Sequence, residues 1–325
     1  MISNTFLAER VARVLRVERR SCLVLGPDGP CSVHTIASVA VGDFILIDEH
    51  GRMVELLPRR TEIRRLTPGG QSVEQVLAAN VDVVAVCVPL EYDPRFARIE
   101  RFLAIAWASG ATPLLVATKA DLCPPLDLEP ALAQLRAIAL GVEVVAVSIN
   151  NPASLDPLRA AAGHDRTLAV LGASGVGKSS LINALLGEER LATTDIREDG
   201  KGRHTTAWRE LVAMPGGGFL IDTPGLRGVG MADSQEGVDA VFADVVDVAE
   251  QCRFNDCRHD AEPGCAIVAA ITAGDLDPER FLRHRKLQKE LDYQARRFDA
   301  RAQAVEREKW KSITKAQRAR HNPKT

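Results

Sequence analysis

Residues 167–187 read TLAVLGASGVGKSSLINALLG: an apolar run, a glycine-rich turn ending in Gly-Lys-Ser, then a run with helical character. Strand, loop and helix in that order fit the pattern G-x-x-x-x-G-K-[ST] and dictate a βα unit. A strand this apolar is buried on both faces and needs parallel neighbours. The chain supplies VDVVAVCV (81–88), TPLLVATK (112–119), GVEVVAVS (141–148) and GFLIDTPG (218–225). Helical stretches ARIERFLAIAWASG and DLEPALAQLRAIALG lie between them. The alternation predicts a parallel α/β sheet with helices on its faces.

The turn carries chemistry. Gly172 and Gly177 let the backbone curl so that its N–H groups face phosphate oxygens, Gly175 adds freedom, and the helix N-terminus adds its dipole. Lys178 is placed to reach β- and γ-phosphates, and Ser179 to bind Mg²⁺. Asp222 ends a later strand in IDTPG and suits the same ion, while Gly225 can offer its N–H to the γ-phosphate. Between these motifs lies GKGRHTTA (200–207), where Thr205 or Thr206 can complete the Mg²⁺ shell. Spacing does not choose between the two threonines.

TKAD (118–121) implies guanine rather than adenine. The Asp121 carboxylate can accept from the adjacent N1–H and 2-amino donors of guanine, a pair that adenine lacks. Lys119 can cover the base with its aliphatic stem. The motif ordinarily begins with Asn, and here Thr118 supplies a hydroxyl instead. VSIN places Ser148 and Ile149 after the next strand, with backbone available to the base edge. Leu226 follows Gly225 where many GTPases carry a water-orienting Gln, which leaves His204 as the candidate to align the attacking water.

The base reader thus precedes the phosphate loop, the reverse of the usual order. A sheet cut in one loop and rejoined at its old termini keeps its site while the chain order rotates. The order here is that of a GTPase read from another starting point.

Cys252-x4-Cys257-x-His259-x5-Cys265 offers three thiolates and one imidazole within fourteen residues. That set closes a tetrahedral shell and predicts one structural Zn²⁺ with no position left for water. Redox cysteines are the rival reading. Residues 280–325 hold fifteen Lys/Arg against five Asp/Glu, so a basic tail follows an acidic body and suits a polyanionic partner such as RNA. Leu291, Ala295, Phe298, Ala302 and Val305 trace one weak helical face near its start. No run of about 18 apolar residues predicts a membrane span, and the N-terminus lacks a secretory pattern, so a cytoplasmic location is expected. Five short strands separated by GPDGP, VGD and EHG predict a small barrel before residue 67, with the oligonucleotide-binding (OB) type as one candidate.

Taken together, the barrel with VGD, AANVD, TKADL, GASGVGKSSLINAL, KGRHTT, DTPGL and the Cys/His cluster closely resemble the RsgA (YjeQ) family of circularly permuted bacterial GTPases. The resemblance implies an OB-fold β-barrel (1–67), a permuted α/β P-loop GTPase (68–232), a helical zinc-binding domain (233–292) and a basic tail (293–325). It implies a GTP phosphohydrolase that binds the small ribosomal subunit and its rRNA late in maturation, stimulated there. Mg²⁺ with GTP, one zinc and no membrane are expected, with a monomer as the default. A nucleotide switch with negligible catalysis is the alternative. The family's nucleotide motifs fall on Thr118, Lys119, Ala120 and Asp121, and on Gly172, Ala173, Ser174, Gly175, Val176, Gly177, Lys178, Ser179 and Ser180. Its zinc ligands fall on Cys252, Cys257, His259 and Cys265, and a histidine implicated in hydrolysis falls on His204.

Overall fold

The structure, a computed structural model, describes residues 10–35, 38–66, 74–90, 94–190, 209–222, 235–260 and 262–296. Strands β1 (Arg10–Val17), β2 (Ser21–Gly26), β3 (Gly29–His34), β4 (Phe44–Ile47) and β5 (Met53–Leu56) form an antiparallel ladder in the order β3-β2-β1-β4-β5. Alternate residues Ala12, Val14, Cys22, Val24, Val33, Ile45 and Ile47 share one core, as period-two strands require. The VGD turn leads into β4 and packs on the segment at Ala78 and Ala79, where the Ala79 N–H donates to the Val41 carbonyl at 2.9 Å. Gly42 has φ +90°, and a Cβ there would sit 2.1 Å from the Ala79 carbonyl oxygen, so only glycine fits. The neighbouring Asp43 is buried and accepts from the Ala40 N–H at 2.7 Å and from Arg59 at 2.7 and 2.8 Å.

A hairpin of β6 (Glu62–Leu66) and β7 (Glu74–Ala79) follows, with Ile63 and Leu77 buried in the main core. The sequence does not announce it, since EIRRL is mostly charged. The central sheet holds β8 (Val83–Pro89), β9 (Thr112–Thr118), β10 (Glu143–Ala146), β11 (Thr167–Gly172), β12 (Glu210–Ala213) and β13 (Phe219–Asp222). Its order is β10-β9-β8-β11-β13-β12, parallel except for β12. Val84, Val86 and Val88 of β8 face one core, while Val83, Ala85 and Cys87 face the other. Helices α1 (Phe96–Ala108) and α2 (Pro125–Ile138) cover the first face; α3 (Asp156–Ala162) and α4 (Lys178–Leu186) cover the second.

The N-terminal domain joins this sheet directly. β1 pairs antiparallel with β12 at Arg16 and Glu210. Arg13 pins the junction: its guanidinium lies 5.0 Å from the Phe44 ring and 4.7 Å from the Phe219 ring. It donates to the Thr167 hydroxyl and, at 3.3 Å, to the Asn80 carbonyl. Burial pulls its pKa down to about 10, so it stays cationic at neutral pH.

After the sheet come α5 (Gln235–Val241), α6 (Ala243–Ala249), α7 (Ala266–Ala273) and a helix α8 over residues 278–296. Phe281, Leu287 and Leu291 bury one stripe of α8. That stripe does not continue to Ala295, which is exposed, so the expected face is interrupted there; Phe298, Ala302 and Val305 lie outside the described residues.

A buried ionic cluster fastens α8 to the central domain. Glu100 on α1 is fully buried and accepts from Arg283 Nε at 2.9 and 3.0 Å and from Arg280 Nη1 at 3.2 Å. Arg280 also grips Asp244 of α6 through two nitrogens at 2.6 and 2.9 Å. Among the described residues, no helix is long and apolar enough to cross a membrane.

Candidate functional site

Three loops leave the carboxyl ends of parallel strands along one edge of the sheet. The loop after β9 carries Lys119 to Asp121, the loop after β10 carries Ser148 to Asn150, and the loop after β11 carries Gly172 to Gly177. This is the edge where open α/β sheets bind ligands.

The glycine-rich loop has the geometry that its sequence requires. Gly172 has φ +154°, and a Cβ on it would lie 2.8 Å from the Cys87 carbonyl oxygen. Gly177 has φ +92° and immediately precedes α4. Ser174 and Gly175 are exposed at the tip, while Val176 turns into the core. Ala173, Ser179 and Ser180 are half-buried around the loop and the first turn of α4. The Lys178 ammonium curls over the loop and donates to the carbonyls of Gly172, at 2.9 Å, and Ala173.

Thr118 joins this loop to the turn at residues 119–121. Its buried hydroxyl lies 2.7 Å from the Val176 carbonyl and 3.2 Å from that of Val88. One hydroxyl proton serves the shorter contact. Threonine in place of the usual asparagine therefore still ties the two loops together.

Lys119 then adopts a left-handed conformation, φ +58°, strained for a non-glycine residue and common at functional turns. It swings Ala120 and Asp121 into one 3₁₀ turn, Ala120–Leu122. The Ala120 N–H donates to the Val147 carbonyl at 3.1 Å, which fixes this turn against the loop after β10. Asp121 is exposed and accepts from the Asn150 side-chain amide at 2.9 Å. Hydrogen bonding from Ser148 first, and from Asn150, holds its carboxyl below the ordinary carboxylate range, so it is anionic at neutral pH. Ile149 is half-exposed beside it.

Asn150 and Ser154 were not among the sequence candidates. The Ser154 hydroxyl accepts from the Ser148 N–H at 2.9 Å and lies 2.6 Å from the Asn151 carbonyl, so it closes the loop on itself. The turn chemistry of SINNPAS carries a trace of this, but not the contact to Asp121. The backbone of Asp222 ends β13, next to β11. His204, Thr205, Thr206 and Gly225 lie outside the described residues.

The second cluster brings Cys252, Cys257, His259 and Cys265 together, with all four ligand atoms within 4.8 Å of one another. The Sγ atoms of Cys252 and Cys265 lie 3.5 and 3.6 Å from His259 Nδ1. Tetrahedral bonds of about 2.3 Å to sulfur and about 2.0–2.1 Å to nitrogen give an S···N edge of about 3.5 Å, so the residues fit zinc. Backbone N–H groups support the sulfurs: Ala266 donates to Cys252 at 3.4 Å and Val268 to Cys265 at 3.5 Å, the latter capping α7. His259 reaches the cluster through a left-handed turn, φ +59°. Glu262 tightens that turn by accepting from the N–H groups of Arg258 and Asp260, both at 3.0 Å.

Native mass spectrometry is expected to find one zinc per chain. A strong chelator, or Cys257→Ser, should release it and open residues 252–265 to protease, because metal binding of this kind supplies about 10–16 kcal/mol of local folding energy. A metal-free chain with an unchanged protease pattern would contradict the assignment.

The chain is similar to several known proteins. The sequence profile of the RsgA GTPase family matches residues 56–232. The "Small ribosomal subunit biogenesis GTPase RsgA" of Streptomyces coelicolor is 48% identical over 312 residues, covering 92% of this chain and 85% of that protein. The "Small ribosomal subunit biogenesis GTPase RsgA 1" of Listeria innocua is 40% identical over 280 residues, covering 86% and 80%. The crystal structure of YjeQ from Thermotoga maritima superposes with a TM-score of 0.66 at 25% identity, over 87% of this chain and 98% of that one. YloQ, described as a circularly permuted GTPase, also gives 0.66, at 21% identity over 90% and 98%, a likeness of fold.

Proposed function

The chain belongs to the RsgA GTPase family, and from that membership we propose that it hydrolyses GTP to GDP and phosphate on the small ribosomal subunit, during the subunit's late maturation. The observation that carries the reading is the 2.7 Å bond from Thr118 to Val176. It joins the base-reading loop to the phosphate loop, so one nucleotide can engage both.

In this reading Asp121 accepts from guanine N1–H and the 2-amino group, Lys119 covers the base, and the backbone of Ser148 and Ile149 borders it. The N–H groups of residues 172–180 receive the phosphates, and Lys178 exchanges its loop carbonyls for β- and γ-oxygens. Gly225 offers an N–H to the γ-phosphate. Ser179, Asp222 and one of Thr205 or Thr206 would hold magnesium; the first turn of α4 and the end of β13 are on the same sheet edge, which suits such a site. Bound there, the ion would supply positive charge that offsets the charge of the phosphates. His204 orients the attacking water in place of the glutamine that Leu226 replaces.

The four-part division at residues 67, 232 and 292 belongs to the same proposal. So does the OB assignment, supported by five strands in the order β3-β2-β1-β4-β5, as in a partly open five-stranded barrel. The barrel, the zinc module and the basic tail are the rRNA-facing parts. The protein then acts in the cytoplasm as a monomer, without a membrane.

Phosphate release from GTP, measured with and without purified small subunits, tests this. Stimulation of at least tenfold is expected, on the scale by which a partner completes a GTPase site. Release unaffected by subunits would favour a nucleotide switch with negligible catalysis.

A further inference from the structure

We propose that Asn150 is a positioning residue for base recognition, its side-chain amide holding the Asp121 carboxylate in the plane that guanine requires. The inference rests on the guanine-nucleotide reading above. Asp121 and Asn150 follow different strands, β9 and β10, and meet with Nδ2 2.9 Å from Oδ2. An ionised carboxylate only accepts, so the amide nitrogen is the atom that faces it.

Asn150 is itself fixed. Its backbone N–H donates to Ser148 Oγ at 3.1 Å. Ser148 in turn is held by Ser154, whose hydroxyl receives the Ser148 N–H. The amide therefore projects from a closed turn rather than from a free loop, and this places it before a ligand arrives.

The need for such a residue follows from the chemistry of the base. Guanine presents two N–H donors side by side, and both carboxylate oxygens must lie in their plane at once. Asp121 is exposed, and rotation about its terminal torsion is soft. Ser148 and Asn150 occupy part of the carboxylate, Asn150 at Oδ2, and leave the remainder of its about four acceptor sites for the base. Fixing the rotor beforehand lowers the ordering cost of binding.

The test uses the full-length, zinc-loaded protein with GDP and IDP, whose hypoxanthine base lacks the 2-amino group. Asn150→Ala is expected to weaken GDP about tenfold, the scale of one hydrogen bond to a charged group. IDP, which engages fewer contacts of the carboxylate, should weaken only about threefold, so discrimination between the two narrows. Asn150→Asp sets a second carboxylate against Asp121. It should weaken GDP more than Asn150→Ala does at pH 7.5, and recover at pH 5 as a proton shared by the pair restores a donor. Equal losses of GDP and IDP, or wild-type GDP affinity in Asn150→Ala, would overturn the role. A wild-type protein that binds ADP as tightly as GDP would overturn the guanine reading itself, a separable outcome.

Discussion

Asp121→Asn is expected to weaken GTP binding by about 10²-fold or more and to strengthen binding of xanthosine triphosphate by a comparable factor. The carboxylate offers two acceptors to guanine's two donors. An amide keeps one acceptor but turns a donor toward the 2-amino group, leaving two donors facing each other without a partner. Xanthine carries a carbonyl at that position and restores the match. The substitution keeps the size and shape of the side chain, so the 3₁₀ turn at Ala120–Leu122 should survive. Competition of GTP, XTP and ATP for a fluorescent nucleotide measures the change. A variant that still prefers GTP would remove Asp121 from base recognition.

The second large effect concerns stability. Glu100→Ala is expected to cost about 3–5 kcal/mol, because it removes one partner of a buried ionic cluster and leaves Arg283 without its close carboxylate. Among the described residues, Arg283 keeps only a distant carboxylate, Asp277 at 3.8 Å, whereas Arg280 retains Asp244. Burial pushes the Glu100 carboxyl above its ordinary pKa in spite of both arginines. The intact cluster is therefore not a large net source of stability, and the damage comes from breaking it on one side. At roughly 2–4 °C per kcal/mol for a domain of this size, the melting temperature should fall by about 10 °C. A combined Glu100→Ala and Arg283→Met variant should recover part of the loss, since it also removes an unpaired cation. A fall of less than ~1 kcal/mol would show that solvent reaches the cluster and compensates it.

Legibility in the sequence followed burial and locality. β8, β9 and β11 are apolar on both faces and stand out as continuous runs. The glycine-rich loop and the Cys/His cluster are local strings whose spacing is their geometry. β6 and β12 were not legible: EIRRL and ELVA have no pattern of their own and pair only because neighbouring strands present open edges. The junction of Glu100 with Arg280 spans 180 residues, and that of Asp121 with Asn150 spans 29. Each depends on where two distant segments meet, which no single stretch encodes. Thr118 was legible as a departure from the usual motif; its compensating bond to Val176 was not, because it depends on the relative placement of two loops.

The β1–β12 ladder has a consequence for any attempt to dissect the chain. β12 is the last strand of the central sheet, and β1 meets the side that β13 leaves open at one register position, Arg16 and Glu210. A fragment starting after the N-terminal domain would uncover the β12 edge at Glu210, and open strand edges are surfaces on which foreign strands add and aggregates grow. The N-terminal domain thus also shields the start of the last strand in the sheet that follows it.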